Sequence, residues 1–314
     1  MKRALITRLA AGLALAGGLA AAQPCAAAEQ DTAAALAAAE ARDGIASPKL
    51  LPVIERLAAE RLTEGALGEA AVLRRRGLTI AIAAYGCDSP RAAGAMAALA
   101  MLDIDRRHYL DAEPLLIVAA QVFETAGDGA ALAETDAGLA RIALARGRVR
   151  GAETWARHAV DLATRNPGKN GDEALRALGA VLTSDKRFEE AERVLTEALA
   201  QARGKPDEPR ALSLLGNLEL RRDRPERALR WLEQAAALDR GQLGPTHPFI
   251  ADDLYDVGLA YEALQRDADA RRMFDAAIAV LERGAGRDTS RVAYAEIELS
   301  RVYRRAGDKQ AADA

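Results

Sequence analysis

Small residues recur along the chain in a column that repeats at intervals of 37 to 42 positions. The column consists of seven alanines: Ala70, Ala112, Ala152, Ala191, Ala228, Ala270 and Ala312. Twelve positions before each alanine stands a second small residue, and an aliphatic residue directly precedes that one. The second column is Ala58, Ala100, Ala140, Gly179, Gly216, Gly258 and Ser300. An internal period of this length is the sequence pattern of a repeat architecture.

The two columns predict pairs of helices that cross closely. A small residue on each helix lets the two backbones approach, and the aliphatic residue beside it fills the space around the crossing. Alanine favours helices and is depleted in strands, and it makes up 75 of the 314 residues. Only 4% of the residues are aromatic, so the core depends on close helix approach rather than on large side chains. We therefore expect an all-α protein.

The loops between the predicted helix pairs support the same register. Segments 44–48 and 86–90, which are 42 positions apart, both begin with glycine and end with serine and proline. Segment 244–248 has the same pattern with histidine in place of the serine. Glycine suits the left-handed position that ends a helix, serine is a preferred N-cap, and proline fits the first helical position. Each loop is thus predicted to end one unit and to begin the next.

The pattern resembles the tetratricopeptide repeat, a helix–turn–helix unit with small residues at its crossing points. The longer spacing is similar to the kinesin light chain variety, and the likeness is strongest in residues 109–115, in 244–248, and in 254–261 followed by Ala270, Phe274 and Ala277. The resemblance implies a right-handed superhelical solenoid. Residues 51–284 would form six repeats, between an N-terminal capping helix in 29–50 and a partial repeat or capping helix in 285–314.

Four positions depart from the repeat pattern. Arg74 and Ala156 stand where a large apolar residue is usual in the second helix, and Asp136 and Glu296 occupy apolar places in first helices. An edge unit has one face toward water, which suits Arg74 and Glu296. The unit that contains Asp136 and Ala156 is the weakest match.

Few residues point to chemistry. A net charge of −3 with mixed signs does not favour a dedicated nucleic-acid binder. The three histidines have no partner at metal-ligand spacing, and neither a nucleophile elbow nor a phosphate-binding loop occurs. Two cysteines are too few for a disulfide scaffold, and whether Cys87 pairs stays open. We expect no catalytic residue, no cofactor, no metal and no enzymatic activity.

The first 28 residues have the layout of a secretory signal peptide. Basic residues at positions 2, 3 and 8 precede an apolar run over 9–22, which is too short to span a bilayer, and small residues follow. Cleavage after Ala28 fits the small-x-small rule, and cleavage after Ala22 is the competing site. Removal of 1–28 takes three positive charges from the total of −3 and leaves −6. We expect an exported protein, periplasmic or secreted, without membrane insertion after cleavage.

The resemblance also implies a binding surface, because in such repeats the first helices line a concave wall that holds a peptide or another protein's helix. The inward positions carried over onto this sequence are Glu134, Arg141, Arg176, Thr183, Arg210, Ser213, Asn217, Arg221, Asp252, Tyr255, Asp256 and Leu259, extended by Tyr294, Ile297, Arg301, Arg304 and Arg305. Asn217 and Tyr255 are suited to hydrogen-bond an extended backbone. Asp252 and Asp256 stand where capture of an acidic tail requires cations or amides, so that ligand is disfavoured.

We therefore expect a non-catalytic scaffold that binds a protein or peptide in this groove, for which a cell-envelope complex is one setting. The alternative is a carbohydrate-binding factor, or an unrecognised enzyme, that uses the groove as a substrate cleft. Two or more carboxylates meeting in the groove would favour the alternative. The partner, the pathway and the oligomeric state stay open, because the exposed side chains of a repeat stack vary freely.

Overall fold

A computed structural model describes residues 32–166, 171–284 and 290–305. The predicted signal peptide and Ala312 of the alanine column lie outside these residues. In chain order the described helices are α1 (32–43), a short 3-10 helix (Pro48–Leu50), α2 (Leu51–Thr63), α3 (Leu67–Tyr85), α4 (Pro90–Asp105), α5 (Tyr109–Ala126), α6 (Gly129–Ala145), α7 (Val149–Arg165), α8 (Gly171–Ser184), α9 (Phe188–Ala202), α10 (Glu208–Arg221), α11 (Pro225–Gln242), α12 (Pro248–Ala263), α13 (Asp267–Gly284) and α14 (Ser290–Arg305). These three ranges contain no strand, and the predicted all-α class is confirmed.

The helices form a stack of hairpins. Each even-numbered helix from α2 to α12 packs against the next odd-numbered helix and joins it through a three-residue turn. We number these hairpins units 1 to 6. The even-numbered helices from α4 to α14 also contact one another in series, so they build one continuous inner layer. The structure is an all-α repeat solenoid, as the sequence predicts.

The turn inside each unit has one backbone conformation. Its middle residue has a positive φ of 58° to 80° in all six units: Gly65, Arg107, Gly147, Lys186, Asp223 and Gln265. Their spacings are 42, 40, 39, 37 and 42 residues, the same as those of the alanine column. Between units, Gly44 and Gly86 have φ of 88° and 85°, as predicted, but Gly244 does not adopt a positive φ. Ser89 caps α4 by accepting a hydrogen bond from the Ala92 amide at 3.2 Å.

The predicted small residues lie where the two helices of a unit cross. The six described members of the alanine column, from Ala70 to Ala270, are fully buried. A Cβ added at Gly216 would lie 2.5 Å from Leu232 Cγ, and one added at Gly258 would lie 2.5 Å from Phe274 Cε1. Glycine is therefore required at these positions by the approach of the partner side chain.

Two of the residues that depart from the repeat pattern, Arg74 and Asp136, are largely buried and make polar contacts. The expectation that Arg74 faces water is wrong: its side chain is only 18% exposed, and Nη1 donates to the Ala98 carbonyl of unit 2 at 2.6 Å. Asp136 is completely buried, and its Oδ2 lies 2.6 Å from Nδ1 of His158 in the same unit. Burial raises the pKa of Asp136, while the hydrogen bond with His158 opposes that rise.

Replacement of Gly258 by alanine tests the crossing geometry. We expect Gly258→Ala to lower the free energy of unfolding by about 1–3 kcal/mol, the usual effect of overpacking a core, because Phe274 has to move. Gly94 is exposed on α4 and has nothing within 4 Å of an added Cβ, so Gly94→Ala should stabilise the protein by about 0.5–1 kcal/mol through helix propensity. Urea unfolding followed by circular dichroism measures both changes, and equal stabilisation of the two variants would contradict the crossing geometry.

Candidate binding cavity on the concave face

The turn of unit 1 lies against the loop that precedes α12. The Gly244 amide donates to the Thr63 carbonyl at 3.4 Å, and His247 Nε2 donates to the Leu62 carbonyl at 2.9 Å. His247 Nδ1 accepts a hydrogen bond from the Phe249 amide at 3.1 Å, so the ring proton belongs on Nε2. Burial lowers the pKa of His247, which favours this neutral form of the ring.

The end of α4 and the turn of unit 2 reach across the concave face. Asp105 Oδ2 lies 3.3 Å from Arg210 Nη2 on α10, and Arg291 on α14 donates to the Asp105 carbonyl. Arg107 Nη2 lies 3.6 Å from Asp252 Oδ1 on α12. These contacts, with those of the unit 1 turn, close the solenoid on itself. We call the two sets the closing contacts.

A cavity of about 350 Å³ opens to solvent beside the closing contacts of the unit 2 turn, and its volume is within the size range of small-ligand sites. Its lining comes from the end of α4 and the start of α5, and from α6, α8, α10, α11, α12 and α14. A smaller cavity of about 170 Å³ adjoins it and shares Arg107, Asp252 and Arg291 with it. Apart from these three shared residues, the charged side chains of the larger cavity fall into two groups.

The first group, which we call the arginine network, contains Asp105, Arg141, Glu173, Arg176 and Arg210. Arg141 lies 2.8 Å from Asp105 and 3.4 Å from Glu173, and Arg176 lies 2.6 Å from Glu173. Burial would raise the pKa of Asp105, but the guanidinium groups of Arg210 and Arg141 lower it to about 2. Every guanidinium in the network has a carboxylate partner.

The second group, which we call the carboxyl cluster, contains Asp239 on α11 and Asp253 and Asp256 on α12. Asp239 is 6% and Asp253 is 7% exposed. Ser213 donates to Asp253 Oδ1 at 3.4 Å, and Asn217 donates to Asp256 Oδ2 at 3.0 Å. Asp253 Oδ2 is buried and has no nitrogen donor in the described part of the chain. Within the same ranges, none of the three carboxyls is at ion-pair distance from a lysine or an arginine.

Burial and mutual repulsion keep the carboxyl cluster partly protonated. Burial and the charge of Asp239 raise the pKa of Asp253 to about 9, and the two carboxyls share a hydrogen bond. Burial also raises the pKa of Asp239, and it raises that of Asp256 to about 7. A buried carboxyl without a cationic neighbour favours its neutral form. The cluster therefore retains protons at neutral pH, whereas the carboxylates of the arginine network are ionised.

The structure brings only some of the predicted groove residues together. Those at the larger cavity are Arg176, Arg210, Ser213 and Asp256, with Arg141 and Asp252 from the wider set. Tyr255 and Tyr294 line the smaller cavity. Asn217, Leu259 and Arg301 line neither of the two cavities.

The groove residues outside the larger cavity have other contacts. The Asn217 amide is engaged by Asp256, and the Tyr255 ring is tilted against Phe274 with 5.7 Å between ring centroids. Burial raises the pKa of Tyr255 to about 12. Leu259 packs against the core cluster that contains Phe274. Arg301 forms an ion pair with Glu298 on its own helix at 2.6 Å. The predicted binding roles of Asn217 and Tyr255 stay predictions.

Several cavity residues are not marked by the repeat pattern. They are Asp105, Arg107, Glu173, Asp239, Phe249, Asp253 and Arg291. Glu173 has a local signal, because it stands one helical turn before Arg176. Asp105 and Arg291 have none, because they are 186 positions apart and only the curvature of the solenoid brings them together.

Three further observations concern metal sites, membrane spans and the carboxyl cluster. Among the described residues no group of three or more His, Cys, Asp or Glu side chains is arranged to hold a metal ion. No helix in the same ranges is long and apolar enough to cross a membrane. Asp239 and Asp253 do meet at the cavity, which is the condition that favours the alternative function.

Gly65 tests the closing contacts. It has a φ of 80°, and a Cβ added there would lie 2.8 Å from the His247 Cα atom. Gly147 has the equivalent turn position in unit 3, with a φ of 71° and nothing within 4 Å. Alanine costs roughly 1–2 kcal/mol at either position through the left-handed conformation, but only Gly65→Ala also displaces the loop before α12. We expect a larger radius of gyration in small-angle scattering for Gly65→Ala with unchanged helix content, and no expansion for Gly147→Ala. Expansion of both variants, or of neither, would contradict the closing contacts.

Asp253→Asn tests the charge state of the carboxyl cluster. A carboxyl with a raised pKa binds a proton in the folded protein that the unfolded chain has released, so stability falls as pH rises toward that raised value. Asp253, with a pKa of about 9, should therefore make the free energy of unfolding fall on the order of 1 kcal/mol per pH unit between about pH 7 and pH 9. The lowered pKa of His247 acts below this window. Urea titrations at several pH values should show that the free energy of unfolding depends less on pH in Asp253→Asn than in Asp275→Asn. Asp275 is an exposed control on α13. Parallel profiles would mean that Asp253 is already ionised at neutral pH.

Comparison with known proteins agrees with this architecture. Models of the tetratricopeptide repeat match residues 174–209 and 207–283. Among solved structures, the chain is similar to a chain of the APC/C hetero-tetramer Cut9-Hcn1, with 14% identity, a TM-score of 0.60, and coverage of 83% of this chain and 44% of that one. It thus spans less than half the length of that chain. No curated protein matches the sequence.

Two further solved structures are less similar. BtubC (BKLC) from P. vanneervenii has 20% identity, a TM-score of 0.48, and coverage of 74% of this chain and 92% of its own. A putative kinesin light chain from Podosopora anserina with nearly identical TPR-like repeats has 16% identity, a TM-score of 0.38, and coverage of 75% and 96%. The family models, and not these two structures, show that residues 174–283 carry tetratricopeptide repeats, a fold type that is typical of protein–protein interaction scaffolds.

Proposed function

We propose that this protein is an exported, non-catalytic scaffold that binds a peptide or a segment of another protein on its concave face, as part of a cell-envelope complex. The observation that carries the proposal is the cavity of about 350 Å³ on the inner layer of helices. Repeat solenoids present extended concave surfaces that serve for binding. The unit spacing further supports the kinesin light chain variety of the repeat.

Exposed apolar side chains continue from the cavities along α14. Tyr294 is 51% exposed and lines the smaller cavity, and Ile297 is 56% exposed. The two residues are three positions apart, so they share one face of the helix. Tyrosine is enriched among residues that dominate binding energy at protein interfaces. This face offers a polypeptide apolar contact beside a charged cavity.

Parting of the closing contacts would widen the access of a partner to the cavity. Those contacts are hydrogen bonds and ion pairs of turns and long side chains, and the pair of Arg107 and Asp252 is about one-third exposed on both sides. Exposed ion pairs contribute about 0–1 kcal/mol. Because each unit of a solenoid packs only on its neighbours, small rotations between units can open the face without unpacking a hairpin.

The proposal of export rests on the sequence of the first 28 residues. Their order of basic, apolar and small residues is that of a signal peptide that is removed from the mature protein. A location in the periplasm or outside the cell follows from that order. The partner would then belong to the same compartment.

A second candidate function has one observation in its favour. Asp239 and Asp253 share a hydrogen bond at the cavity, and the pKa of Asp253 is raised. A carboxyl that stays protonated at neutral pH is able to donate a proton or a hydrogen bond to a bound ligand. The cavity would then hold a saccharide or a substrate instead of a polypeptide.

Site-specific cross-linking distinguishes these functions. A photoreactive residue placed at Tyr294, on the concave face, should form a covalent adduct with a partner protein in intact cells. The matched control is Leu110 on α5, which is 75% exposed and belongs to a second helix. We expect a protein adduct from position 294 and none from position 110, with Asn217→Ala and Tyr255→Ala reducing the yield. Adducts only from position 110 would contradict the concave face as the binding surface, and no adduct from either position would favour the second candidate.

A further inference from the structure

We propose that the carboxyl cluster receives a basic side chain, a lysine or an arginine, from the polypeptide that occupies the concave face. The inference rests on the proposed function and names the chemistry of its partner. Three features carry it: the charge balance of the cavity, a buried carboxyl oxygen that no nitrogen donor among the described residues contacts, and the apolar surface beside the cluster.

The charge balance of the cavity leaves only the carboxyl cluster without a counter-charge. The arginine network is paired internally. Asp252 is paired as well, with Arg291 at 2.9 Å and Arg107 at 3.6 Å. The described residues place no cation at ion-pair distance from Asp239, Asp253 or Asp256. An anionic ligand would meet guanidinium groups that already have carboxylate partners, with Arg176 Nε alone among the buried nitrogens of the arginine network lacking an acceptor in the described residues. A cationic ligand would meet carboxyls that have no cationic partner.

Asp253 shows where the cation would bind. Its side chain is more than nine-tenths buried and lines the cavity. One oxygen accepts a hydrogen bond from Ser213, and the other, Oδ2, has no nitrogen donor among the described residues. Burial without a cationic neighbour disfavours the ionised form of this carboxyl. An ammonium or guanidinium group brought into the cavity supplies the missing donor together with the missing charge.

In the unoccupied state a proton takes the place of that charge. Burial and like charges keep a proton on the Asp239–Asp253 pair, and a cation at hydrogen-bond distance would favour the ionised carboxylate. Binding is thus expected to release a proton to solvent. The charged groups that face the pair are Asp252 and Asp256 on α12, Arg210 on α10, Asp207 before α10, Arg107 in the unit 2 turn and Arg291 on α14.

The surroundings of the cluster suit a side chain rather than a bare ion. Ile104, Leu214 and Phe249 line the same cavity. Lysine and arginine cover apolar surface with their aliphatic stems while the charged head reaches a polar site. Phe249 already stacks with a guanidinium, that of Arg210, at 4.4 Å. The exposed face of Tyr294 and Ile297 continues outward, where the rest of a polypeptide would lie.

Binding of a fluorescein-labelled peptide of eight lysines tests the inference. We expect Asp253→Asn to weaken its binding about tenfold or more, the usual scale for loss of a buried charge partner. Asp275→Asn makes the same substitution on the exposed face of α13 and should change binding less than about twofold. Titration calorimetry in two buffers of different ionisation enthalpy should show proton release for the wild type and for Asp275→Asn, but not for Asp253→Asn. A peptide of eight glutamates should not bind.

The outcomes separate this inference from the proposed function. Equal binding of the lysine peptide to both variants, or binding without proton release, overturns the inference even if position 294 cross-links to a partner. Spermidine that binds as tightly as the peptide, with the same dependence on Asp253, overturns the polypeptide as its source. If position 294 gives no protein adduct while the peptide still requires Asp253, the proposed function fails and the cation site stands. Circular dichroism confirms that Asp253→Asn is folded.

Discussion

The close approach of two helix backbones at a small residue is the interaction on which the rest of this protein depends. At Gly216 and Gly258 there is no space for a methyl group, because Leu232 and Phe274 fill it. The crossing fixes the geometry of one hairpin, and the inner layer of helices passes that geometry from each hairpin to the next. The curvature of the described stack is the sum of these steps, since within the described residues each unit packs on its near neighbours and makes other contacts only where the solenoid closes.

Because the solenoid closes on itself, its curvature brings residues that are distant in the sequence together at one cavity. The unit 1 turn reaches the loop before α12, and the unit 2 turn reaches α10, α12 and α14. Residues from unit 2 through α14 then line one cavity. The closing contacts involve turns and flexible side chains, whereas the hairpins are held by fully buried alanines and leucines. The protein therefore combines hairpins held by apolar packing with a seam held by polar contacts.

The buried carboxyls on the two sides of the cavity have pKa values shifted in opposite directions. In the arginine network the pKa of Asp105 falls to about 2 because two guanidinium groups outweigh desolvation. In the carboxyl cluster no cation is present to outweigh it, and the pKa of Asp253 rises to about 9. The difference is one of neighbours rather than of exposure. Because of this difference, the charges of the arginine network are paired with one another. The carboxyl cluster has no cationic partner and is able to accept one.

The sequence by itself determined the all-α class, the register of the hairpins and the burial of the alanine column. It could do so because the small residues of the repeat make their contacts within one unit. The resemblance to the tetratricopeptide repeat put Arg176, Arg210, Ser213 and Asp256 among the inward positions, and these four residues line the cavity. The structure differed at Arg74 and Gly244, whose environments come from other units. Only the tertiary structure decided that Asp105 meets Arg210 and Arg291, and that Asp239 meets Asp253. Those meetings depend on the accumulated rotation of successive units, a quantity that no single repeat encodes.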